Sequence, residues 1–150
     1  LYMILPFEHN YTIGVVSQMF QVTPETIRLY EKEGLILPKR SESGQRRYSE
    51  LDIAWISCIR KLITEDKLNL AGIRHLLALI PCWEMKPCTE SERTTCAAYQ
   101  QNDQPCWNLK QISTLCQEAE CYQCIVYRSA QRVGNIKDFI ALHIKNISSK

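Results

Sequence analysis

The residues with the most evident chemistry are cysteines, and seven of the eight lie between positions 82 and 124. They follow an internal repeat, in which PCWEMK at 81–86 recurs as PCWNLK at 105–110 and CAAY at 96–99 recurs as CIVY at 124–127. The first copy holds Cys82, Cys88 and Cys96, the second holds Cys106, Cys116 and Cys124, and Cys121 is an additional member. Matched spacing of this kind indicates a thiol site rather than scattered cysteines.

The number of thiols favours metal or cluster ligation over a disulfide framework, because a reducing cytosol is expected and the count is odd. Structural zinc sites usually draw on paired C-x₂₋₄-C knuckles, and only Cys121-x-x-Cys124 has that form. Spread single cysteines beside bulky residues favour an iron–sulfur cluster of the 4Fe-4S type, with Trp83 and Trp107 as its apolar walls or as a small core. Zinc or another thiophilic metal is the second alternative, and free redox thiols or disulfides are the third.

Four thiolates complete such a cluster, so a subset of the seven is sufficient. Cys116, Cys121 and Cys124 fall within nine residues and form the preferred group. The fourth ligand would come from the first repeat or from Cys106, a choice that the sequence leaves open. The candidate ligands are Cys82, Cys88, Cys96, Cys106, Cys116, Cys121 and Cys124. Cys58 lies apart on an apolar helical stripe and is expected to be a small buried residue.

The elements around which the chain is organised precede the cysteines, from Thr12 to Tyr48. The spacing predicts a first helix from Thr12 to about Phe20. A second helix follows, with Thr23 as its N-cap, Pro24 in its first turn and Gly34 ending it. Its inward side chains are Ile27, Tyr30 and Leu35, and its outward ones are Thr26, Arg28 and Lys32. Two helices joined by a short break form the helix-turn-helix that fits the major groove of double-stranded DNA.

A basic hairpin follows the second helix. Lys39-Arg40, a Ser43-Gly44 turn and Arg46-Arg47-Tyr48 place four cations and one carboxylate, Glu42, within nine residues. A tight hairpin would hold these cations against DNA phosphates as a wing.

These residues resemble the winged-helix DNA-binding domain of MerR-type transcription regulators. The resemblance covers Tyr11 to Leu79 and rests on the IRxYExxGL core and the RRYSExD wing exit. LNLAGIRHLL at 68–77 is closer to the HspR-like branch than to the metal-sensing members. The family's DNA contacts, carried over, are Arg28, Tyr30, Arg46, Arg47 and Tyr48, and the full expected set also includes Thr26, Lys32 and Arg40. Leu29 and Gln45 depart from the aromatic residues that are common at their positions, so operator preference is expected to differ.

The resemblance implies a homodimer that binds a pseudo-palindromic promoter site and acts by bending and untwisting the DNA, with RNA polymerase as a further candidate partner. The cysteine segment resembles the small two-CW cysteine-rich domain attached to bacterial sensory proteins. Members of the MerR family usually continue from the fourth helix into one long dimerising helix. Pro81, Pro87 and Pro105 argue against that helix here. An amphipathic helix at Asn135–Ile147 is therefore the predicted dimerisation element, with packing on its own chain as the alternative. Asn135 is its predicted cap, and its apolar face consists of Ile136, Phe139, Ile140, His143, Ile144 and Ile147.

The fold class expected is mainly α, with a winged helix-turn-helix followed by a small irregular cysteine module and a C-terminal helix. Ser49 is expected to start a third helix, whose apolar stripe is predicted to be Leu51, Ile53 or Ala54, Ile56, Ile59 and Ile63. A fourth helix is predicted at Leu70–Ile80, with Ile73, Leu76, Leu77 and Ile80 buried. The predicted divisions are an N-terminal arm at 1–10, the DNA-binding domain at 11–80, the cysteine module at 81–128 and the C-terminal helix at 129–150. Net charge is only +2, and no apolar run reaches the ~18–20 residues of a membrane span. No signal-peptide pattern is visible, so a cytoplasmic protein without membrane contact is expected.

The leading hypothesis is a transcription regulator whose cysteine module senses redox or oxidant state through an iron–sulfur cluster. A DNA-binding protein with a structural or sensed thiophilic metal is the alternative. An enzyme or electron carrier is disfavoured, because no Ser-His-Asp set, paired acids or phosphate loop is visible and an electron carrier needs no basic wing.

Overall fold

The structure is a computed structural model that describes residues 8–101, 103–109, 112–117 and 120–144, and it is mainly helical. Helix α1 spans Ile13–Met19, and the Thr12 side chain caps it by accepting from a backbone amide in its first turn. Helix α2 spans Pro24–Lys32, with Thr23 as its N-cap. Gly34 follows α2 with a φ of +74°, the left-handed conformation that ends helices. The predicted boundaries of both helices are thus confirmed.

A three-stranded antiparallel sheet supports these helices. Its strands are β1 at Tyr11–Thr12, β2 at Lys39–Arg40 and β3 at Arg46–Tyr48, in the order β1-β3-β2. Strands β2 and β3 form the predicted hairpin, called the wing below, and Gly44 in its turn has a φ of +82°. Because β1 pairs with β3 and is followed directly by α1, the wing lies next to the start of α1.

Helix α3 spans Glu50–Thr64 and begins with a capping box between Ser49 and Asp52. Its predicted apolar stripe is only partly correct. Ile56 and Ile59 are buried as expected, whereas the positions of Leu51, Ile53 and Ile63 are half-buried and Trp55 and Leu62 fill the core instead. Helix α4 spans Leu70–Ala78 and buries Ile73 and Leu77, as predicted.

The cysteine module, residues 81–128, consists of short helices. They are α5 at Cys82–Met85, α6 at Glu90–Thr95, α7 at Ala97–Gln100, a 3₁₀ helix at Cys106–Asn108, α8 at Thr114–Gln117, a 3₁₀ helix at Cys121–Gln123 and α9 at Ile125–Arg128. Pro81 lies between α4 and α5, so the long continuous helix is absent from the described part of this segment, as predicted.

A 3₁₀ helix at Ala130–Gly134 and helix α10 at Ile136–Ile144 end the described chain. The Asn135 side chain accepts from the Asp138 amide at 3.3 Å, which is the predicted cap. On α10, Phe139 is 4% exposed and Ile140 is 45% exposed. The predicted continuation to Ile147 and the side chains of Ile136, His143 and Ile144 lie outside the described residues.

One apolar core joins the two halves of the chain. Val126, Tyr127, Ala130, Val133 and Phe139 belong to the same buried cluster as α2, α3 and α4. The predicted division of the chain into 1–10, 11–80, 81–128 and 129–150 stays a prediction. Within the described residues, none of the helices combines the length and apolarity needed to cross a bilayer.

Candidate nucleic-acid interface and thiol site

The helix–wing surface, formed by α2 and the wing, carries the cations that the sequence predicts to contact DNA. On α2, Lys32 is exposed and Thr26 and Arg28 are partly exposed. The Arg28 guanidinium forms an ion pair with Glu25 one turn earlier. A groove of about 410 Å³ is lined by Arg28 and by Arg46 of the wing. Helix and wing therefore present cations to a common groove, which is the arrangement that suits a phosphate backbone.

The wing is tied to α2 by one carboxylate, Glu31, which the sequence analysis did not single out. Arg40 Nη2 lies 2.9 Å from Glu31 Oε1, and Arg46 Nε donates to Glu31 Oε2. Arg40 also donates to the Gly44 carbonyl at 3.1 Å. These contacts restrict the rotamers of Arg40 and Arg46 before DNA binds. Less side-chain entropy is therefore lost when the two arginines contact DNA. The signal in the sequence was the glutamate of the IRxYExxGL motif.

Two of the residues expected to contact DNA, Tyr30 and Tyr48, are buried in the structure. Tyr30 is 2% exposed and Tyr48 is 1% exposed, so both rings lie in the core beneath the helix–wing surface. Arg60 donates to the Tyr30 hydroxyl at 3.3 Å. Burial raises the pKa of Tyr48 to about 12, and the Glu31 charge adds to that effect. Helical spacing predicted the inward direction of Tyr30 correctly, and the DNA contact carried over from the resemblance stays a prediction for both tyrosines.

The other expected DNA contacts are partly or fully exposed. They are Thr26, Arg28, Lys32, Arg40, Arg46 and Arg47. Arg47 Nη2 donates to Gln45 Oε1 at 3.4 Å, near the tip of the wing. Their contact with DNA stays a prediction.

Five of the predicted thiols line one small cavity in the cysteine module. They are Cys82, Cys88, Cys96, Cys106 and Cys116. The cavity has a volume of about 20 Å³, which is room for about one water molecule. Cys121 and Cys124 are not part of this lining, but burial and then the nearby Cys124 and Cys116 raise the pKa of Cys121. All seven predicted thiols are therefore gathered in one region, and Cys58 lies apart on α3.

Cys82 and Cys106, which occupy equivalent positions in the two repeats, form a hydrogen-bonded pair. That bond lowers the pKa of Cys82 to about 7, against the opposite effect of burial. The pKa of Cys106 is raised by the same hydrogen bond, then by burial and by the charge of Cys82. One thiol of the pair is thus poised to ionise while the other holds its proton.

A cation that the sequence analysis did not single out, Lys86, lies among these thiols. Burial would lower its pKa, but Cys124, Cys116 and Cys106 outweigh that effect and the pKa is raised. Lys86 also forms a hydrogen bond with the Cys124 sulfur. A permanent positive charge here stabilises thiolates over thiols. The signal was the repeated PCWxxK motif, whose first copy ends at Lys86.

The arrangement of the thiols bears on which of the predicted cofactors they fit. All eight cysteines are free thiols, and among the described residues no group of three or more His, Cys, Asp or Glu side chains is arranged to hold a metal ion. Thiolates on one zinc ion lie about 2.3 Å from it and hence about 4 Å apart, whereas a four-iron cluster distributes its thiolates over four metal atoms. Three thiols act on Lys86 and five line the water-sized cavity, and in the described residues neither group already has the geometry of a metal site.

The two repeats fold into similar aromatic pairs. Trp83 packs edge-on against Tyr99 with ring centroids 5.1 Å apart and an interplanar angle of 86°. Trp107 packs in the same way against Tyr127, at 5.1 Å and 82°. Each pair joins the tryptophan after one cysteine to the tyrosine of the next C-x-x-Y in its own repeat. The tryptophans therefore form small cores, and Trp83 also lines the thiol cavity.

Comparison with known proteins identifies similarity mainly in the N-terminal half. Residues 11–80 match the family described as MerR HTH family regulatory protein. The chain is 36% identical over 69 residues to the heat shock protein HspR of Streptomyces coelicolor, covering 46% of each chain. It is 37% identical over 83 residues to the HTH-type transcriptional regulator ZntR of Escherichia coli, covering 55% of this chain and 58% of ZntR.

A longer but weaker similarity extends over most of the chain. It is 27% identical over 132 residues to an uncharacterized HTH-type transcriptional regulator of Haemophilus influenzae, covering 85% of this chain and 91% of that one. The chain spans about half the length of HspR and ZntR, at 46% and 58%. The cysteine module lies outside the segment that matches the family, which ends at residue 80.

Proposed function

Residues 11–80 match the MerR helix-turn-helix family, and on that premise we propose that the chain is a DNA-binding transcription regulator whose cysteine module senses its signal through a thiol-bound cofactor. One observation carries the proposal: seven thiols gather in a module that shares its apolar core with the helix–wing domain. A change at the thiols therefore has a packed path to the DNA-reading elements.

In the proposed complex, α2 enters the major groove and the wing lies along the backbone. Arg28 is the α2 cation that lines the groove between helix and wing, so it is assigned to a base edge or a nearby phosphate. Arg47 lies on the wing strand and is assigned to a phosphate. The two roles differ in their dependence on sequence and salt, and that difference makes them separable.

Arg28→Ala and Arg47→Ala test this assignment on duplexes selected from a random pool by the whole chain. We expect Arg28→Ala to weaken binding by about 1–3 kcal/mol and to relax the base preference at one position. Arg47→Ala should weaken all sequences alike and reduce the slope of log affinity against log salt by about 1. The measurement is fluorescence anisotropy at several salt concentrations.

Arg132→Ala is the control, because Arg132 is an exposed cation in the 3₁₀ helix after α9 and outside the helix–wing surface. It should bind as the wild type does. Equal losses in all three variants would mean that general charge, and not the helix–wing surface, binds the DNA.

The cofactor proposed first is a four-iron cluster held by Cys106, Cys116, Cys121 and Cys124. The support for this set is their proximity, because Cys116 and Cys124 both act electrostatically on Lys86, on Cys106 and on Cys121. The cluster would supply one-electron chemistry and a charge that changes with redox state. Lys86 would compensate thiolate charge beside it. A single thiophilic ion such as zinc is the second candidate, since the cavity has the volume of about one water molecule.

Elemental analysis and electron paramagnetic resonance of anaerobically prepared protein distinguish these candidates. The cluster predicts about four irons and four sulfides per chain and a visible absorption band. Cys124→Ser should lose the iron, the sulfide and the band, whereas Cys58→Ser should keep them. Colourless protein that holds stoichiometric zinc under strict anaerobiosis would replace the cluster with the ion. Protein that holds neither would remove the cofactor from the proposal.

The functional unit is proposed to be a dimer formed through α10. Phe139 packs into the core of its own chain, whereas Ile140 on the same helix is 45% exposed and is therefore the residue offered to a second subunit. Ile140→Glu should shift the chain toward the monomer in analytical ultracentrifugation, because a buried carboxylate would oppose the apolar contact. A wild-type chain that sediments as a monomer at micromolar concentration would contradict this part of the proposal.

A further inference from the structure

The cysteine module holds the segment that connects the two DNA-reading elements. This segment, called the linker below, runs from Gly34 at the end of α2 to Lys39 at the start of the wing. Trp107 Nε1 donates to the Gly34 carbonyl at 2.7 Å. The Leu37 amide donates to the Tyr127 hydroxyl oxygen at 2.9 Å. The backbone of the linker is thus bound by two aromatic side chains that lie 73 and 90 residues further along the chain.

A third aromatic residue reaches the end of the linker. The Lys39 ammonium lies 5.9 Å from the centroid of the Tyr122 ring, within cation–π range. The same ring meets His9 edge-on at 5.4 Å. The linker is therefore contacted at its first residue, near its middle and at its last residue.

Each of the three aromatic residues is fixed to a cysteine by one short helical turn. Trp107 follows Cys106 in a 3₁₀ helix, and Tyr122 follows Cys121 in another. Tyr127 lies on α9, and Cys124 occupies the position immediately before that helix. Helical turns of three or four residues leave little freedom between a sulfur and the neighbouring ring. A displacement of these sulfurs would therefore move the rings that bind the linker.

The first repeat provides an internal contrast. Trp83 and Tyr99 form the same edge-on pair as Trp107 and Tyr127, with the same 5.1 Å separation. Tyr99 is nevertheless 45% exposed, and the first pair lines the thiol cavity and not the linker. The aromatic pair alone thus does not explain the linker contacts, which belong to the second repeat.

The linker joins α2 to the wing, whose position is also held by the ion pairs of Arg40 and Arg46 with Glu31. Gly34 ends α2 in a left-handed conformation, and Leu35 and Ile36 are buried behind it. Trp55 Nε1 of α3 donates to the Leu35 carbonyl at 2.8 Å, so the first half of the linker is fixed on two sides. The second half, at Leu37, is bound through Tyr127.

We propose that Trp107, Tyr122 and Tyr127 are positioning residues that set the wing against the recognition helix according to the state of the cysteine module. Ligation of Cys106, Cys121 and Cys124 then changes the spacing of the DNA-reading elements within one subunit. This inference rests on the proposed function for its biological meaning, but the linker contacts can be tested without DNA.

The test uses Tyr127→Phe and Trp107→Phe in the whole chain, which keep an aromatic ring and remove the two hydrogen bonds. Tyr99→Phe is the matched control for Tyr127→Phe, since it removes the hydroxyl from the corresponding tyrosine of the first repeat and keeps the ring. Amide hydrogen exchange by nuclear magnetic resonance reports on the linker directly. Loss of one hydrogen bond should speed exchange at Leu37 by about 2- to 10-fold in Tyr127→Phe, and Tyr99→Phe should not change it.

Affinity for the selected duplex is the second readout. Both linker variants should bind about 2- to 10-fold more weakly with a lower salt slope, because a displaced wing loses phosphate contacts. Destabilisation alone would not alter that slope. Wild-type exchange at Leu37 in Tyr127→Phe, or equal effects of Tyr99→Phe, would overturn the positioning role. If the wild-type chain selects no duplex, the proposed function fails while the exchange measurement still decides the linker contacts.

Discussion

The winged-helix domain and the cysteine module are stabilised in different ways. Helix α3 alone spans 15 residues and buries Trp55, Ile56 and Ile59. The described helices of the cysteine module are no longer than six residues. Among the residues between 82 and 117 whose burial is described, the buried apolar ones are Cys96, Ala98 and Pro105. Helices this short are marginal by themselves. The module therefore depends on docking to the first domain and on whatever its thiols bind.

Each region has a helix that begins with a capping box, and the two boxes differ in burial. In the winged-helix domain, Asp52 accepts from the Ser49 amide at 2.8 Å and is 2% exposed. In the module, Glu92 accepts from the Thr89 amide at the same 2.8 Å in an exposed turn. Asp52 also forms an ion pair with Arg128 of the module at 2.8 Å. The first box is thus both a helix cap and a tie between the two regions.

The largest predicted effect is that of Asp52→Ala. Removing one partner of a buried ion pair leaves Arg128 buried without its anion, and we expect the free energy of unfolding to fall by about 3–5 kcal/mol. Urea denaturation followed by circular dichroism measures it. Glu92→Ala, which breaks the matching box in the module, should stay close to the wild type because water replaces the lost contact. Similar losses in both variants would remove the distinction between the two regions.

A second prediction concerns Gly34, where the module's Asn108 lies against the backbone. A Cβ at Gly34 would overlap the Asn108 side chain, and the φ of +74° is unfavourable for any other residue. We expect Gly34→Ala to cost about 1–2 kcal/mol from the backbone alone. Displacing Asn108 should add about 1 kcal/mol in the wild-type background.

A double-mutant cycle separates these two contributions. In Asn108→Ala protein the additional cost should disappear, giving a coupling of about 1 kcal/mol between two residues that are distant in sequence. Additive effects of the two substitutions would mean that the module does not press against Gly34 in solution. The docking of the two regions would then need another explanation.

The sequence predicted the parts of this fold that depend on local chemistry. Thr23, Pro24 and Gly34 marked the limits of α2 correctly, because caps and turns act within a few residues. The repeat indicated two similar thiol units, and the structure shows the matching aromatic pairs. Glu31 and Lys86 escaped notice because their importance lies in partners brought together by folding.

The contacts between the two regions could not be predicted in the same way. Trp107 reaches Gly34 and Tyr127 reaches Leu37 across 73 and 90 residues, and no periodicity specifies such a pairing. The burial of Tyr30 and Tyr48 was also not evident from the family motif, because such a motif preserves core residues as well as DNA contacts. Motif membership alone therefore does not distinguish a surface role from a core role.

The smallest predicted effect compares two neighbours on α9. Val126 is 2% exposed within the shared core, whereas Ile125 is 59% exposed. Val126→Ala removes two methyl groups from a packed site, and we expect a loss of about 2 kcal/mol from transfer and cavity terms together. Ile125→Ala removes more atoms from a solvated site and should change stability by no more than about 0.5 kcal/mol.

Hydrogen exchange shows where the effect of Val126→Ala appears. If the module is part of one core with the winged-helix domain, amides in α3 should lose protection together with those of α9, because both open in the same cooperative unit. Loss confined to α9 would mean that the module unfolds independently. The linker would then be held by a separate unit whose opening leaves the DNA-reading elements intact, and thiol chemistry could release the wing without unfolding the domain that carries it.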